Sequence, residues 1–181
     1  MEDTELLNDF LNGNENSFKE LVKRHQKKLY RLVWYKIGNH DDVSDICQNC
    51  FVQVYKKADQ FEGRASFESW LYKIAINFCK NHYRSKERQR IDNNTDIETL
   101  ERAGDNTAWT ECINDEKKAR IQAVIKRLPD KQRMTMELRF YQECTLKQVA
   151  EIMDCPIGTA KANYYHALTT LRQLMSGDDH E

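Results

Sequence analysis

Two groups of residues in this 181-residue sequence have the types and spacing to do chemistry. The first is Cys47-Gln-Asn-Cys50, a C-x-x-C pair, with Cys79 standing three residues before His82. That combination could ligate zinc or cycle as a dithiol. No second C-x-x-C completes a ligand set, however. Cys47, Cys50 and Cys79 also fall at apolar helical positions, where a free cysteine packs as a small hydrophobe. Core packing is the better reading, and no metal or cofactor is assigned. The second group is FEGRASFESWLYKIAIN, residues 61–77, which crowds Phe61, Phe67, Trp70 and Tyr72 beside Arg64 and Lys73. Rings next to positive charge stack unpaired bases and hold the adjoining phosphates. Phe67 and Trp70 lie on an apolar helical face and read as core. Phe61 and Arg64, in the loop ahead of it, read as contacts, and Tyr72 fits either role. Nowhere do Asp, Glu and His converge as a catalytic set, and no Gly-rich phosphate loop occurs, so the chain reads as a non-enzyme without a small-molecule substrate.

The elements that must position these residues are helices. Only 2 Pro and 6 Gly, with no alternating Val/Ile/Thr runs, indicate an all-α protein. Asn16 and Ser17 precede Glu20 at capping-box spacing and open a helix carrying Phe18, Leu21, Val22, Leu29, Leu32, Val33 and Ile37, stopped by Gly38. A second helix starts at Asp41 or Asp42, with Val43, Ile46, Cys47, Cys50, Phe51, Val54, Tyr55 and Ala58 on one face. Ser66 caps a third, which carries Phe67, Trp70, Leu71, Ile74, Ala75, Phe78 and Cys79. These three make a first domain over residues 16–90. Residues 91–112 read as a flexible acidic linker without sustained periodicity. A second domain, residues 113–175, follows with Ile113, Ile121, Val124, Ile125 and Leu128. Asp130 then caps a helix with Met134, Leu138 and Tyr141, and Thr145 with Gln148 forms a capping box for the next.

Charge divides the same way. A net charge of −1 conceals a surplus of eight positive charges over residues 18–90 and six over 117–175, separated by a deficit of seven over 91–116. Two basic modules either side of an acidic stretch point to a shared polyanion. Solvated helix faces would give the same count. No run approaches the roughly 20 apolar residues of a membrane span, and MEDTELLNDF lacks the pattern of a secretory signal. The six cysteines therefore read as reduced thiols in a cytoplasm. Cys112 and Cys144 have no evident partner, and His25, His40 and His180 read as surface or boundary residues.

TLKQVAEIMDCPIGTAKANYYHALTTL, residues 145–171, has the layout of a helix-turn-helix: a short helix with small Ala150, a turn at 154–156 and a longer helix. In that motif the start of the second helix faces base edges in the major groove. Helical spacing sets Thr159, Ala162, Asn163 and His166 opposite an apolar face of Ile157, Ala160, Tyr164 and Leu168, with Lys161 able to reach a phosphate. An ordinary pair of packed helices is the alternative.

Taken together, the segments resemble a bacterial extracytoplasmic-function sigma factor of RNA polymerase, in the family's order. SFKELVKRHQKKLYRL (17–32) resembles the first helix of region two. DDVSDICQNCFVQVYKKADQF (41–61) resembles the polymerase-binding helix, with D-x-x-D-x-x-Q at Asp42, Asp45 and Gln48. EGRASFESWLYKIAINFCKNHYR (62–84) resembles the promoter-melting loop and −10 helix, and LPDKQRMTMELRFYQECTLKQVAEIMDCPIGTAKA (128–162) resembles region four.

The resemblance implies that Asp42, Asp45, Gln48 and Asn49 face core RNA polymerase. It implies that Phe61, Gly63, Arg64, Ala65 and Ser66 form a pocket for a base flipped from the −10 element, with Lys73, Asn77, Asn81 and Arg84 toward the DNA. Thr145, Thr159, Lys161, Ala162, Asn163, Tyr165 and His166 would meet −35 DNA, and the linker would enter the polymerase's RNA path. Control by an anti-sigma factor, often anchored in the inner membrane, is implied as well. Two departures weaken the match. The family often has Glu where Asn49 stands, and Ser, Arg and Arg where Ala162, Asn163 and His166 stand. With fewer basic groups, the salt slope of −35 binding should fall by roughly one unit for each phosphate left unneutralised. The rival account is a two-domain regulator with a sensory N-terminal domain, which would have no need of the basic, aromatic 61–84 segment.

Overall fold

A computed structural model describes the backbone of residues 1–92, 121 and 123–177, and the side chains of 1–89, 121 and 123–175. Of the expected acidic linker, residues 91 and 92 are the end of a helix, and the remainder, with Cys112, Ile113 and His180, lies outside the described residues. Among those described there is no strand, so the all-α expectation holds. The chain divides into two compact units, Met1–Asp105 and Asn106–Glu181.

The first unit contains α1 (Asp3–Leu11), α2 (Glu15–Ile37), α3 (His40–Lys56), a 3-10 turn (Ala58–Gln60) and α4 (Phe67–Asp92). Helix α2 packs against α1, α3 and α4 in turn. It does so because Leu21, His25, Leu29, Leu32 and Val33 recur near the helical period and are all buried. Gly38 ends α2 with a left-handed φ of 73°, and its N–H donates to the Trp34 carbonyl. Asn39 caps α3 at once, its side chain accepting from the Asp41 and Asp42 N–H groups at 3.0 and 3.1 Å. The joint between α2 and α3 is therefore two residues long.

Several boundaries differ from the sequence reading. The capping box at Asn16/Ser17 and Glu20 does not form. Instead α2 starts earlier, at Glu15, because Asn14 accepts from the Asn16 N–H at 3.2 Å. Ser17 is buried inside the helix and its hydroxyl donates to the Asp9 carboxylate, which also accepts from the Asn14 side chain at 2.6 Å. Asp9 belongs to α1, a helix the sequence reading omitted. A nine-residue helix is marginal in isolation. Burial of Leu6 and Leu7 against the body sustains it, as does a reciprocal capping box between Glu2 and Glu5. Phe10 joins Phe18 and Tyr55 in a ring cluster with centroids 4.9–5.2 Å apart. His25 is a further correction: it is a core residue, 6% exposed, with its Nε2 2.7 Å from Asp3. The compensating carboxylate comes from α1, so omitting that helix hid the partner.

Ser66 does cap α4, accepting from the Ser69 N–H at 3.1 Å. Tyr72 is fully buried and its hydroxyl donates to Glu68 at 3.2 Å, which settles its role as core.

In the second unit residues 121 and 123–126 are helical, followed by α5 (Asp130–Phe140), α6 (Leu146–Met153) and α7 (Ile157–Gly177). Val124, Ile125, Leu128, Met136, Ala167 and Leu171 form its core, with Tyr141 and Tyr164 against it. The N-cap of α5 is Pro129 rather than Asp130. Asp130 is the first helical residue and pairs with Arg133. Thr145 and Gln148 form the expected capping box. Asp154, in the left-handed region at φ 55°, ends α6 and sets up the turn into α7.

Tyr72→Ala should lower the unfolding free energy of the first unit by about 3–5 kcal/mol, as for other buried aromatics. Tyr72→Phe, which removes one hydrogen bond, should cost about 1 kcal/mol or less. Urea titration followed by circular dichroism measures both.

Candidate nucleic-acid interface

Ahead of α4, the 61–66 segment turns at Gly63, whose φ of 68° suits glycine. Phe61 is half-buried, its ring 5.2 Å from Trp70 and 6.2 Å edge-on to Phe67. The ring is thus held by its neighbours rather than loose in the loop, and it offers only its outer face. Phe67 is core, and Trp70 is half-buried between the two. Arg64 is well exposed and pairs with Glu62 at 2.7 Å. A pair this exposed contributes at most about 1 kcal/mol, so a phosphate can displace the carboxylate. Gly63 and Ser66 are exposed, and Ala65 is half-buried. On α4 itself, Lys73, Asn77, Asn81 and Arg84 recur three or four residues apart and share a face. Lys73 is half-buried and the other three are exposed.

Asp45, Gln48 and Asn49 are exposed on α3 and share one face. Val52, 49% exposed, continues that face and was missed because an isolated valine reads as core in sequence. Asp42 departs from the expectation. Its carboxylate lies 2.7 Å from the Lys86 ammonium and 3.5 Å from His82 Nε2, tying α3 to α4. The exposed face of α3 thus includes Asp45, Gln48, Asn49 and Val52, with Asp42 half-buried and engaged by α4.

The second unit needs a correction on α7. Its core-facing stripe is Ala160, Ala167 and Leu171, all buried, with Tyr164 and Leu174 partly buried, whereas Ile157 and Leu168 are 48% and 41% exposed. At 3.6 residues per turn those two fall on one flank of the stripe and Asn163 on the other. Asn163 is half-buried, with its amide nitrogen out of solvent, so it is less available to a base edge than the sequence indicated. Thr159, Lys161, Ala162, Tyr165 and His166 are exposed, Tyr165 most of all at 70%. Thr145 is exposed at the start of α6, though its hydroxyl is engaged in capping. Arg139 was not singled out in the sequence. Its guanidinium donates to the Cys144 carbonyl and lies 5.6 Å over the Tyr164 ring, fastening α5 and the 141–145 turn to α7.

Among the described residues, no group of three or more His, Cys, Asp or Glu side chains is arranged to hold a metal ion. Cys50 and Cys79 are buried and Cys47 half-buried. Burial pushes the Cys47 thiol up to about 12 and Cys79 up to about 11, and raises Cys50 as well.

Two family models match the chain: Sigma-70 region 2 over residues 21–89, and Sigma-70, region 4 over residues 118–171. The units described above thus carry the two conserved regions of a sigma-70-type factor. Among curated proteins, the RNA polymerase sigma-H factor of Pseudomonas aeruginosa is 28% identical, with 92% of this chain and 90% of that protein aligned. The ECF RNA polymerase sigma-E factor of Escherichia coli K12 is 31% identical, with 86% and 84% aligned. The chain belongs to the extracytoplasmic-function (ECF) sigma factors. The fold agrees with two solved structures. CnrH in complex with the cytosolic domain of CnrY has a TM-score of 0.71 at 20% identity, covering 97% of this chain and 98% of that one. The sigma factor RpoE in complex with the anti-sigma factor NepR from Bartonella quintana has a TM-score of 0.65 at 21% identity, covering 88% and 96%.

The thiols give a pH signature. In the unfolded chain they ionise near 9.0, while in the folded chain Cys79 and Cys47 keep their protons to about 11 and about 12. Between those values the unfolded state binds fewer protons, so stability is full below about pH 9 and falls as pH rises toward 11–12. Urea unfolding across that window should show the fall, and Cys79→Ala should remove its part of it.

Proposed function

We propose that this ECF sigma factor binds core RNA polymerase through the α3 face of Asp45, Gln48, Asn49 and Val52. It opens the −10 element with the 61–66 loop and the Lys73, Asn77, Asn81 and Arg84 face, and contacts the −35 element through Thr159, Lys161, Ala162, Tyr165 and His166, with Thr145 and Asn163 in lesser roles. The observation that carries this reading is in the first unit. A polar protein-binding face on α3 and a basic, amide-bearing face on α4, headed by a ring-packed loop, are both left exposed by one core. A base leaving its stack costs a few kcal/mol, which a snug site beside phosphate-binding cations offsets. Domain bounds of 16–90 and 113–175, with a linker at 91–112, serve this division of labour, α1 being an addition to the first domain.

The protein acts without catalysis of its own, by positioning promoter DNA for the polymerase. None of the described helices is long and apolar enough to cross a membrane, and the reading places the protein in the cytoplasm with polymerase and DNA. Control by an anti-sigma factor is part of the proposal. It is supported by the partners named in the two solved structures, CnrY and NepR.

Competition with the primary sigma factor for core polymerase tests the reading. The wild-type chain should compete, and Asp45→Ala combined with Gln48→Ala should weaken it about tenfold, the equivalent of ~1.4 kcal/mol. Lys161→Ala should leave polymerase affinity unchanged and reduce the salt slope of −35 binding by about one. Absence of competition by folded protein would return the chain to the two-domain regulator account.

A further inference from the structure

Helix α1 has no role in the functional reading, yet its first turn touches the machinery that reading assigns. Asp3 Oδ2 lies 2.7 Å from His25 Nε2. Among the described residues the other, buried ring nitrogen of His25 has no hydrogen-bond partner, so the bond to Asp3 is the polar contact that orients the imidazole. The His25 ring rests on Phe67, centroids 5.1 Å apart. Phe67 in turn meets Phe61 at 6.2 Å and Trp70 at 6.1 Å. Phe61 is the first residue of the 61–66 loop and Phe67 directly follows it. The same neighbourhood forms a cleft lined by Met1, Glu2, Asp3, Thr4, Arg24, Ser66 and Phe67, so the start of α1 forms one wall and the end of the loop the other. Arg24 steadies that wall, donating to Asp3 at 3.4 Å and to the Met1 carbonyl at 2.9 Å.

We propose that Asp3 is a positioning residue for promoter opening: through the Asp3–His25–Phe67–Phe61 chain, α1 sets the place of the 61–66 loop. Close-packed rings transmit displacement because they have few alternative arrangements. If the imidazole turns, Phe67 loses its backing and the loop loses one of its two anchors. Polymerase binding uses α3, whose exposed face takes no part in this chain of side chains, so it should be spared. The opposite end of α1 offers the control. Asp9 holds Asn14 and Ser17 at the α1–α2 joint and touches none of the rings.

The inference rests on the sigma reading, and one experiment separates the two. Holoenzyme is assembled from core polymerase and the full chain. A duplex promoter fragment recovered by wild-type holoenzyme from genomic DNA is labelled with 2-aminopurine in its −10 element, and opening is followed by fluorescence. Asp3→Ala should slow opening about tenfold, the change produced by ~1.4 kcal/mol of barrier, with polymerase affinity unchanged. Asp3→Asn, which keeps an acceptor for the imidazole N–H, should recover most of the rate. Asp9→Ala should open at close to the wild-type rate even where its melting temperature falls as far as that of Asp3→Ala. Wild-type opening by Asp3→Ala would overturn the inference. So would equal slowing by Asp9→Ala, or a loss of opening matched by a loss of polymerase affinity. Failure of the wild-type holoenzyme to recover or open any promoter would overturn the sigma reading instead.

Discussion

The apolar stripe of α2 is the constraint on which the first unit depends. Three helices are docked against it, and each therefore has one face committed to the core and one released to solvent. On α3 the released face holds Asp45, Gln48, Asn49 and Val52, and on α4 it holds Asn77, Asn81 and Arg84. The faces proposed for polymerase and for DNA are thus by-products of a single burial problem. Substituting along α2 would disturb both at once, although α3 and α4 also pack on each other and are joined by Asp42 and Lys86.

The second unit solves a smaller version of the same problem with small residues. Ala150, Ala160 and Ala167 are buried, Ala167 within the cluster of Val124, Ile125, Leu128 and Met136, and Arg139 fastens α5 and the 141–145 turn to α7. Cation and ring cooperate there. The guanidinium satisfies a turn carbonyl with one edge and covers Tyr164 with its plane, a combination that lysine could not reproduce.

Periodicity carried most of the architecture. Helices α2, α3, α4 and α6 were legible because their apolar residues repeat at helical spacing, and for α4 and α6 the caps Ser66 and Thr145 were legible too, whereas the caps of α2 and α3 are Asn14 and Asn39. What escaped was everything that depended on a partner distant in sequence. Asp42 looked like a free surface carboxylate until Lys86 and His82 arrived from α4. His25 looked peripheral until Asp3 arrived from α1. Ile157 and Leu168 looked like core because they are apolar and near the stripe, but none of the described helices buries that flank. The candidate site was legible to the same degree. Most residues chosen by helical face are exposed, whereas Asp42, Phe61, Lys73 and Asn163 are half-buried through packing invisible at the level of one helix. Expectations for residues 93–112 fall outside the described structure.

The two-residue joint of Gly38 and Asn39 has an evolutionary consequence. A left-handed glycine followed immediately by a cap leaves no slack between α2 and α3. An insertion there would rotate α3 against α2 and carry its outward face away from whatever docks on it, while the core stripe would still be nominally intact. Lineages diverging from this sequence inherit that constraint. They have to keep this corner at its present length, so change in the outward face of α3 must come through side-chain replacement and not through indels.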